Sequence, residues 1–114
     1  MPSDRMRRVN EAVREVLSWR LAEGLKDPRI GFVTVTAVET SSDLRRARVY
    51  VSVLGDSADR DRTLAGLASS HGVLQAELAR ELRMKRTPTL EFVYDDSIER
   101  GMRISELLDR GDET

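Results

Sequence analysis

The chain has 114 residues, 39% hydrophobic and 34% charged, which is the composition of a single globular domain with a heavily charged surface. It contains no cysteine, so disulfides, thiolate nucleophiles and thiolate metal sites are excluded together, and the composition fits a reducing cytosol. The N-terminal residues are polar and charged, and the most apolar stretch, residues 32–38, is too short to span a bilayer, so the sequence predicts a cytoplasmic protein without a membrane segment.

Charge is distributed unevenly along the chain. The net charge is −1 and the isoelectric point is near 5.9, values that do not in themselves indicate a nucleic-acid-binding protein. From Glu91 onward there are eight acids and three bases, whereas residues 1–90 carry 16 bases and 12 acids. A mildly basic body followed by an acidic end permits RNA binding by the body, although an unevenly charged but inert surface explains the same distribution.

The first predicted elements are an amphipathic helix and a β-hairpin. Ser3 is a suitable N-cap, and apolar residues recur at helical spacing up to Leu17 until Gly24 ends the helix. After a turn at residues 27–29, the β-branched stretch at residues 32–38 predicts a strand. Alternating apolar and polar side chains at residues 46–53 predict a second strand, joined to the first as an antiparallel hairpin.

The remaining elements are two short helices, a third strand and a last helix. Two apolar stripes in different helical registers flank residues 69–72, namely Leu64, Leu67 and Ala68, then Leu74, Leu78 and Leu82. The helix is therefore predicted to break there, with Gly72 supplying backbone freedom and Pro88 stopping the second half at Thr87. Residues 90–94 predict a strand, and Asp96 or Ser97 can cap a last helix. The prediction is one α+β domain over residues 1–110, with helices on one face of a three-stranded sheet, and a disordered tail at 111–114.

Candidates for catalysis and for metal or cofactor binding are weak. The single histidine, His71, lies at the predicted break, where a polar turn residue needs no special role. Asp95 and Asp96 could ligate magnesium, but adjacent acids at a strand–helix junction are more often turn and cap residues. The five large aromatic residues are interpreted as core or sheet-surface residues rather than as a base-stacking platform. The sequence therefore predicts a protein that is not an enzyme and that uses no metal or cofactor.

Two basic clusters are better candidates for a functional surface. The first lies at and after the hairpin turn, and the second ends the helix before Pro88; they comprise Arg45, Arg46 and Arg48, and Arg80, Arg83, Lys85 and Arg86. A structural role explains the second cluster equally well, because cations at a helix C-terminus complement the helix dipole. Glu77 and Glu81 can also pair with bases one turn further on.

The order α-β-β-α-kink-α-β resembles a type II KH domain, and particular segments resemble the ribosome-binding factor A family. These segments span nearly the whole chain: residues 5–11 (RMRRVNE), 26–29 (KDPR), 33–39 (VTVTAVE), 47–55 (ARVYVSVLG), 82–92 (LRMKRTPTLEF) and 94–104 (YDDSIERGMRI). None is diagnostic alone, but jointly they are specific. The resemblance implies a type II KH-like α+β fold with a C-terminal helical segment.

The resemblance also implies how RNA is contacted. An ordinary KH domain clamps nucleic acid with a Gly-x-x-Gly loop, which this sequence lacks. The family instead has a kink built on Ala-x-Gly, and Ser70-His71-Gly72 stands at that place with serine for alanine. The implied contact is a non-standard one through the kink and the basic residues, and the candidate RNA-binding set is Arg45, Arg46, Ser70, His71, Gly72, Arg80, Lys85 and Arg86.

By the same resemblance, the expected function is that of a small-subunit assembly factor. Such a factor binds immature free 30S ribosomal subunits and 16S rRNA, aids maturation of the 5′ end of 16S rRNA, and has a role in cold adaptation. The implied partners are the 30S subunit, 16S rRNA and assembly GTPases, and the implied state is a monomer. Two alternatives remain: a generic single-stranded RNA-binding KH module, and a small metal-dependent hydrolase using Asp95, Asp96 and His71.

Overall fold

Seven elements follow one another in the order α-β-β-α-α-β-α in the computed structural model, which describes residues 2–112. They are α1 (Asp4–Glu23), β1 (Val33–Thr40), β2 (Arg46–Val53), α2 (Ser57–Ser69), α3 (His71–Leu82), β3 (Thr89–Tyr94) and α4 (Ser97–Asp112). Each element predicted from the sequence is present, and the strand and helix ends differ by a few residues. Within the described residues, no helix is both long and apolar enough to cross a bilayer.

The ends of α1 and α3 are fixed by local backbone chemistry. The Ser3 hydroxyl accepts a hydrogen bond from the Met6 N–H at 3.1 Å, and Gly24, with a φ of 96°, ends α1 as predicted. The prediction that Pro88 stops the second helix is wrong. Helix α3 ends at Leu82 because Arg83 adopts a left-handed conformation with a φ of 50°. Residues 83–88 are therefore a loop, not the last turn of a helix.

The sheet has the order β1-β2-β3. Strands β1 and β2 are antiparallel, which confirms the predicted hairpin, and β3 lies parallel to β2 with Thr89 opposite Arg46. Helices α1, α2 and α3 cover one face of the sheet. The core consists of the inward side chains of both layers: Val13, Leu17, Val35, Val38, Ala47, Val49, Val51, Leu67, Leu74, Leu78 and Leu90. The predicted stripes of the two central helices thus point inward, except that Ala68 is exposed.

Two aromatic residues depart from the interpretation as core or sheet-surface residues. Trp19 lies on the outward side of α1 and is 57% exposed. Phe32 precedes β1 and is 81% exposed, so it belongs neither to the core nor to the sheet. Hydrophobicity alone does not distinguish these side chains from core residues, because a large part of every folded surface is apolar.

The loop between α1 and β1 holds the end of α2. The Asp27 carboxylate accepts hydrogen bonds from the Arg29 backbone N–H at 2.9 Å and from its guanidinium at 2.6 Å. These bonds, the side-chain one foremost, lower the pKa of Asp27 to about 2. The same guanidinium donates to Ser69 Oγ at 2.7 Å, so the turn predicted at residues 27–29 is tied directly to the last residue of α2.

Helix α4 is joined to the body mainly at its first turn. The Asp95 carboxylate accepts hydrogen bonds from Ser97 N–H at 2.9 Å and from Thr36 Oγ1 at 2.6 Å, which makes it the turn residue that the sequence indicated. The large apolar side chains of α4 are exposed from the first turn onward: Ile98, Met102, Ile104, Leu107 and Leu108. The helix continues through residues 111 and 112, which were assigned to a disordered tail, and Glu113 and Thr114 lie outside the described residues.

Candidate nucleic-acid interface

The parallel pairing of β2 with β3 brings the two basic clusters to the same end of the molecule. The Thr89 N–H donates to the Arg45 carbonyl at 2.8 Å, so the loop that leads into β3 lies beside the hairpin turn. The N-terminus of α1 closes the third side. Between these segments lies a cleft of about 440 Å³, here called the basic cleft, which is lined by Ser3, Arg5, Met6, Ser42, Asp43, Leu44, Arg45, Met84, Lys85 and Arg86.

The basic cleft carries a net positive charge. Its four cationic side chains are exposed, and none has an ion-pair partner within 4.0 Å among the side chains of residues 2–108: Arg5, Arg45, Lys85 and Arg86. Its one acid, Asp43, accepts hydrogen bonds from Ser41 Oγ at 2.6 Å and from the Arg45 N–H at 3.0 Å. These bonds, with the serine hydroxyl foremost, lower the pKa of Asp43 and occupy its Oδ1 atom. The unpaired cations therefore dominate the field that a polyanion meets here.

Two strained residues border the cleft. Leu44 and Arg83, with φ of 59° and 50°, are the only non-glycine residues with positive φ in the described part of the chain. This conformation costs an ordinary L-residue roughly 1 kcal/mol or more, and persists only where surrounding contacts impose it. At Leu44 those contacts are a buried side chain and a hydrogen bond from its N–H to the Ser41 carbonyl at 2.9 Å. The hairpin wall of the cleft is therefore held in one conformation.

Arg46 lies away from the cleft, although it adjoins Arg45 in sequence. Successive side chains of a strand point to opposite faces, and Arg46 lies on the open face of the sheet near Arg48, Glu39 and Glu91. Arg48 and Glu91 form a long ion pair there at 4.0 Å. The two predicted arginines thus face different surroundings, and only Arg45 belongs to the basic cleft.

The predicted break between α2 and α3 is confirmed. Ser70 is its single non-helical residue, with φ of −88° and ψ of 6°; its N–H donates to the Gly66 carbonyl at 3.0 Å, and its carbonyl accepts from the Leu74 N–H at 3.0 Å. The role assigned to Gly72 is wrong. It lies in the first turn of α3, and positive φ among the described glycines occurs only at Gly24 and Gly55. A change of helix direction at Ser70 requires no glycine conformation.

Replacing Ser70 by alanine, the residue that the resemblance implies at this place, should leave the kink intact. Ser70 makes no side-chain capping bond to the start of α3 in the described structure, so its hydroxyl does not fix the turn. We expect the free energy of unfolding of Ser70→Ala to differ from that of the natural chain by less than about 0.5 kcal/mol. Denaturant unfolding measures this directly, and a loss above 1 kcal/mol would show that the serine hydroxyl supports the kink.

A shallow groove extends from the kink to the loop before β3. Its lining comprises His71, Gly72, Gln75, Ala76, Ala79, Thr87 and Thr89. The Gln75 amide donates to the Pro88 carbonyl at 2.7 Å and accepts from the Leu90 N–H at 3.1 Å, and His71 Nε2 lies 3.1 Å from the Leu90 carbonyl. These side chains satisfy the backbone of the edge strand β3, and the small alanines leave the groove open.

The residues required for the hydrolase alternative are not brought together. His71 contacts Leu90 near the start of β3, whereas Asp95 follows the end of that strand, a distance of several residues along an extended chain. Among the described side chains, those of residues 2–108, no group of three histidine, cysteine or acidic residues could hold a metal ion. Asp95 and Asp96 instead act in the turn and cap of α4, where Asp96 also forms an ion pair with Arg100 at 3.0 Å.

Arg80 forms an ion pair within α3, as the structural interpretation of the second basic cluster predicts. Its guanidinium pairs with the carboxylate of Glu77, which is only 8% exposed. A buried carboxylate is costly unless it is paired, so the charge of Arg80 is partly used to hold Glu77 in α3. Lys85 and Arg86 differ, because they lie in the loop after α3 and pair with no acid in the described structure.

Sequence reasoning missed Arg5, Met6 and Met84 as residues of the interface. Arg5 and Met6 lie in the first family-like segment and Met84 in the fifth, but nothing in their spacing indicates that residues nearly 80 positions apart share a cleft. Only the parallel placement of β3 beside β2 makes them neighbours.

Comparison with known proteins identifies the family. Residues 5–108 match the family model described as Ribosome-binding factor A. The chain is 47% identical over 105 residues to ribosome-binding factor A of Geobacter sulfurreducens, covering 92% of this chain and 89% of the relative. It is similar to the crystal structure of ribosome-binding factor A from Thermus thermophilus, with a TM-score of 0.69, 31% identity, and coverage of 78% and 93%.

A third comparison involves coordinates of the Thermus thermophilus factor, a homology model fitted into the cryo-EM map of a 30S–RbfA complex. The TM-score is 0.61 at 30% identity, covering 84% of this chain and 97% of the other. The solved structures of ribosome-binding factor A have a KH-like fold, which agrees with the predicted type II KH-like α+β architecture. On the family match and the identity to its relatives, the chain belongs to the ribosome-binding factor A family.

Proposed function

We propose that this chain is a non-enzymatic assembly factor that binds immature free 30S ribosomal subunits by contacting 16S rRNA through the basic cleft. The observation that supports this most is the convergence of three separate segments on one concave surface with four exposed, unpaired cations among the described residues. Cations of this kind bind the phosphates of RNA and release counterions. The relative from Thermus thermophilus, fitted in a complex with the 30S subunit, supports the same partner.

The proposed contact residues form a principal set and an adjoining set. The principal set is Arg5, Arg45, Lys85 and Arg86 in the cleft. The adjoining set comprises Ser70, His71 and Gly72 at the kink and its groove, Arg80 on α3, and Arg46, which lies apart on the open face of the sheet. The loop of residues 83–88 connects the two, because Lys85 and Arg86 line the cleft while Thr87 lines the groove. A single RNA strand can therefore follow the surface from one to the other.

The mechanism is a bias on RNA conformation. A protein that binds one arrangement of rRNA better than another shifts the population toward the arrangement it binds. By this means the factor would aid maturation of the 5′ end of 16S rRNA. It would also have a role in cold adaptation, because alternative RNA pairings persist longer at low temperature. It would act in the cytoplasm as a monomer, together with assembly GTPases. Family membership supports these details.

Sedimentation of cell lysate on a sucrose gradient tests the proposed function. The protein, detected by antibody, should cosediment with free 30S subunits and be absent from 70S ribosomes and polysomes. The reason is that an assembly factor binds the immature rRNA arrangement and leaves before translation. Equal association with both fractions, or with neither, would contradict the proposal. Tight binding to short RNA oligomers without subunit association would favour a generic RNA-binding KH module instead.

A further inference from the structure

The basic cleft has an apolar interior as well as a basic rim. Met6 from α1 and Met84 from the loop after α3 are half-buried and both line it, and the buried Leu44 lines it from the hairpin turn. Phosphates need only the cations, because an anionic phosphate group gains nothing from contact with thioether and alkyl groups. An apolar lining beneath a ring of cations indicates a ligand that is partly aromatic or aliphatic and partly anionic.

The size and shape of the cleft fit a single nucleotide. Its volume of about 440 Å³ falls within the range of roughly 300–1,000 Å³ that is typical of small-ligand sites. Methionine sulfur makes favourable contacts with the edges and faces of aromatic rings, and a nucleobase is such a ring. Cations on all three sides can meet the phosphates on either side of that base, since Arg5, Arg45 and Lys85 come from different segments.

We propose that the basic cleft takes up one unpaired nucleotide of a single-stranded RNA, with its base against Met6 and Met84 and its neighbouring phosphates on the rim cations. The proposal rests on the proposed function and names the RNA feature that the site recognises. Single-stranded loops and ends can splay a base outward into a protein pocket, whereas bases stacked inside a duplex cannot enter one. The buried side chain of Leu44 and the hydrogen bond from its N–H to the Ser41 carbonyl keep the hairpin wall of the pocket formed before RNA arrives.

Methyl NMR of the full chain, labelled with ¹³C at the methionine methyl groups, tests this inference. The probes are a single-stranded RNA tetramer, the mononucleotides AMP and UMP, and inorganic phosphate. The tetramer should shift the methyl signals of Met6 and Met84 and leave Met102, which is exposed on α4, unchanged. Mononucleotides should shift the same two signals at concentrations roughly tenfold or more higher, because they lack a flanking phosphate. Phosphate alone should shift neither.

A matched pair of variants at Met84 separates base contact from general charge. Met84→Leu keeps an apolar side chain of similar size and should bind the tetramer nearly as well as the natural chain. Met84→Ser should bind it about two- to tenfold more weakly, because the short polar side chain removes the apolar contact with the base that leucine keeps. The melting temperatures of both variants are measured alongside. A Met84→Ser variant that keeps its fold and its full RNA affinity would count against the inference.

Several results would overturn it. One is a saturating tetramer that leaves the Met6 and Met84 signals unmoved, and another is phosphate that shifts them as the tetramer does. Mononucleotides that bind as tightly as the tetramer would assign the cleft to free nucleotides instead of RNA. Subunit binding is measured separately by sedimentation, so the two proposals fail distinguishably. If the chain binds 30S subunits but the tetramer does not shift the methionine methyl signals, only this inference is overturned. If the natural chain does not bind subunits, the proposed function is overturned.

Discussion

Replacing Lys85 and Arg86 together by glutamine should weaken binding to free 30S subunits by up to about a hundredfold at 0.1 M salt. A cation that contacts an RNA phosphate releases close to one counterion, and each such contact contributes roughly a factor of ten at that salt concentration. The slope of log K against log salt should therefore fall by about one unit for each residue replaced. Equilibrium binding measured at several salt concentrations gives both quantities.

The melting temperature of the double variant should stay close to that of the natural chain. A structural role for these residues would require them to complement the dipole of α3, but α3 ends at Leu82, and the left-handed Arg83 separates it from the loop. Neither Lys85 nor Arg86 forms an ion pair within the described residues that its loss would break. Lowered stability with unchanged affinity would show that the cluster is structural and that its assignment to RNA is wrong.

A double variant with the same change of charge provides the control. Arg62 on α2 and Arg103 on α4 are both exposed and lie outside the basic cleft. Replacing both by glutamine removes the same two charges from the chain as a whole. We expect the salt slope to stay unchanged and the affinity to stay within about twofold of the natural value, because long-range effects between exposed charges are screened over about 10 Å at 0.1 M salt.

The order of the elements could be predicted from the sequence because each has a strong local signal. The period-two alternation at residues 46–53 and the cap at Ser3 require no knowledge of the rest of the chain. The break between α2 and α3 was also predictable, since residues 69–72 are two serines, a histidine and a glycine that interrupt the apolar pattern between Leu67 and Leu74. Local periodicity was therefore enough to predict most of the helices and strands.

The basic cleft could not be predicted in the same way. Its formation depends on β3 pairing with β2 in parallel, and a third strand with apolar residues is compatible with either edge of the hairpin. The end of α3 depends on a left-handed conformation at Arg83, a residue type that gives no signal for it, so the sequence predicts a stop at Pro88 instead. Candidate residues were therefore found by type, but their separation into cleft, groove and open sheet face required the structure.

The two glycines on either side of the kink also cannot be distinguished from the sequence alone. Replacing each by alanine should change the free energy of unfolding in opposite directions. Gly66 is buried in α2, where an added Cβ would lie 2.6 Å from Ile30 Cγ1 and 3.4 Å from Arg29 Cβ. The loop at residues 27–30 and α2 would have to separate, so Gly66→Ala should lower the free energy of unfolding by about 1–3 kcal/mol.

At Gly72 an added Cβ meets no atom within 4 Å, and the position is helical. Gly72→Ala should therefore raise the free energy of unfolding, by a few tenths to about 1 kcal/mol.

Urea unfolding of the two variants beside the natural chain measures both effects, and each variant is the control for the other because the chemical change is the same. The position of Gly66 predicts a further consequence, since Arg29 ties this loop to Ser69 at the end of α2. Displacing the loop should loosen the kink, so hydrogen exchange at the amides of residues 70–74 should speed up in Gly66→Ala and stay unchanged in Gly72→Ala. Equal losses of stability in both variants would mean that glycine is needed on both sides of the kink, and that the open space beside Gly72 does not describe the folded protein.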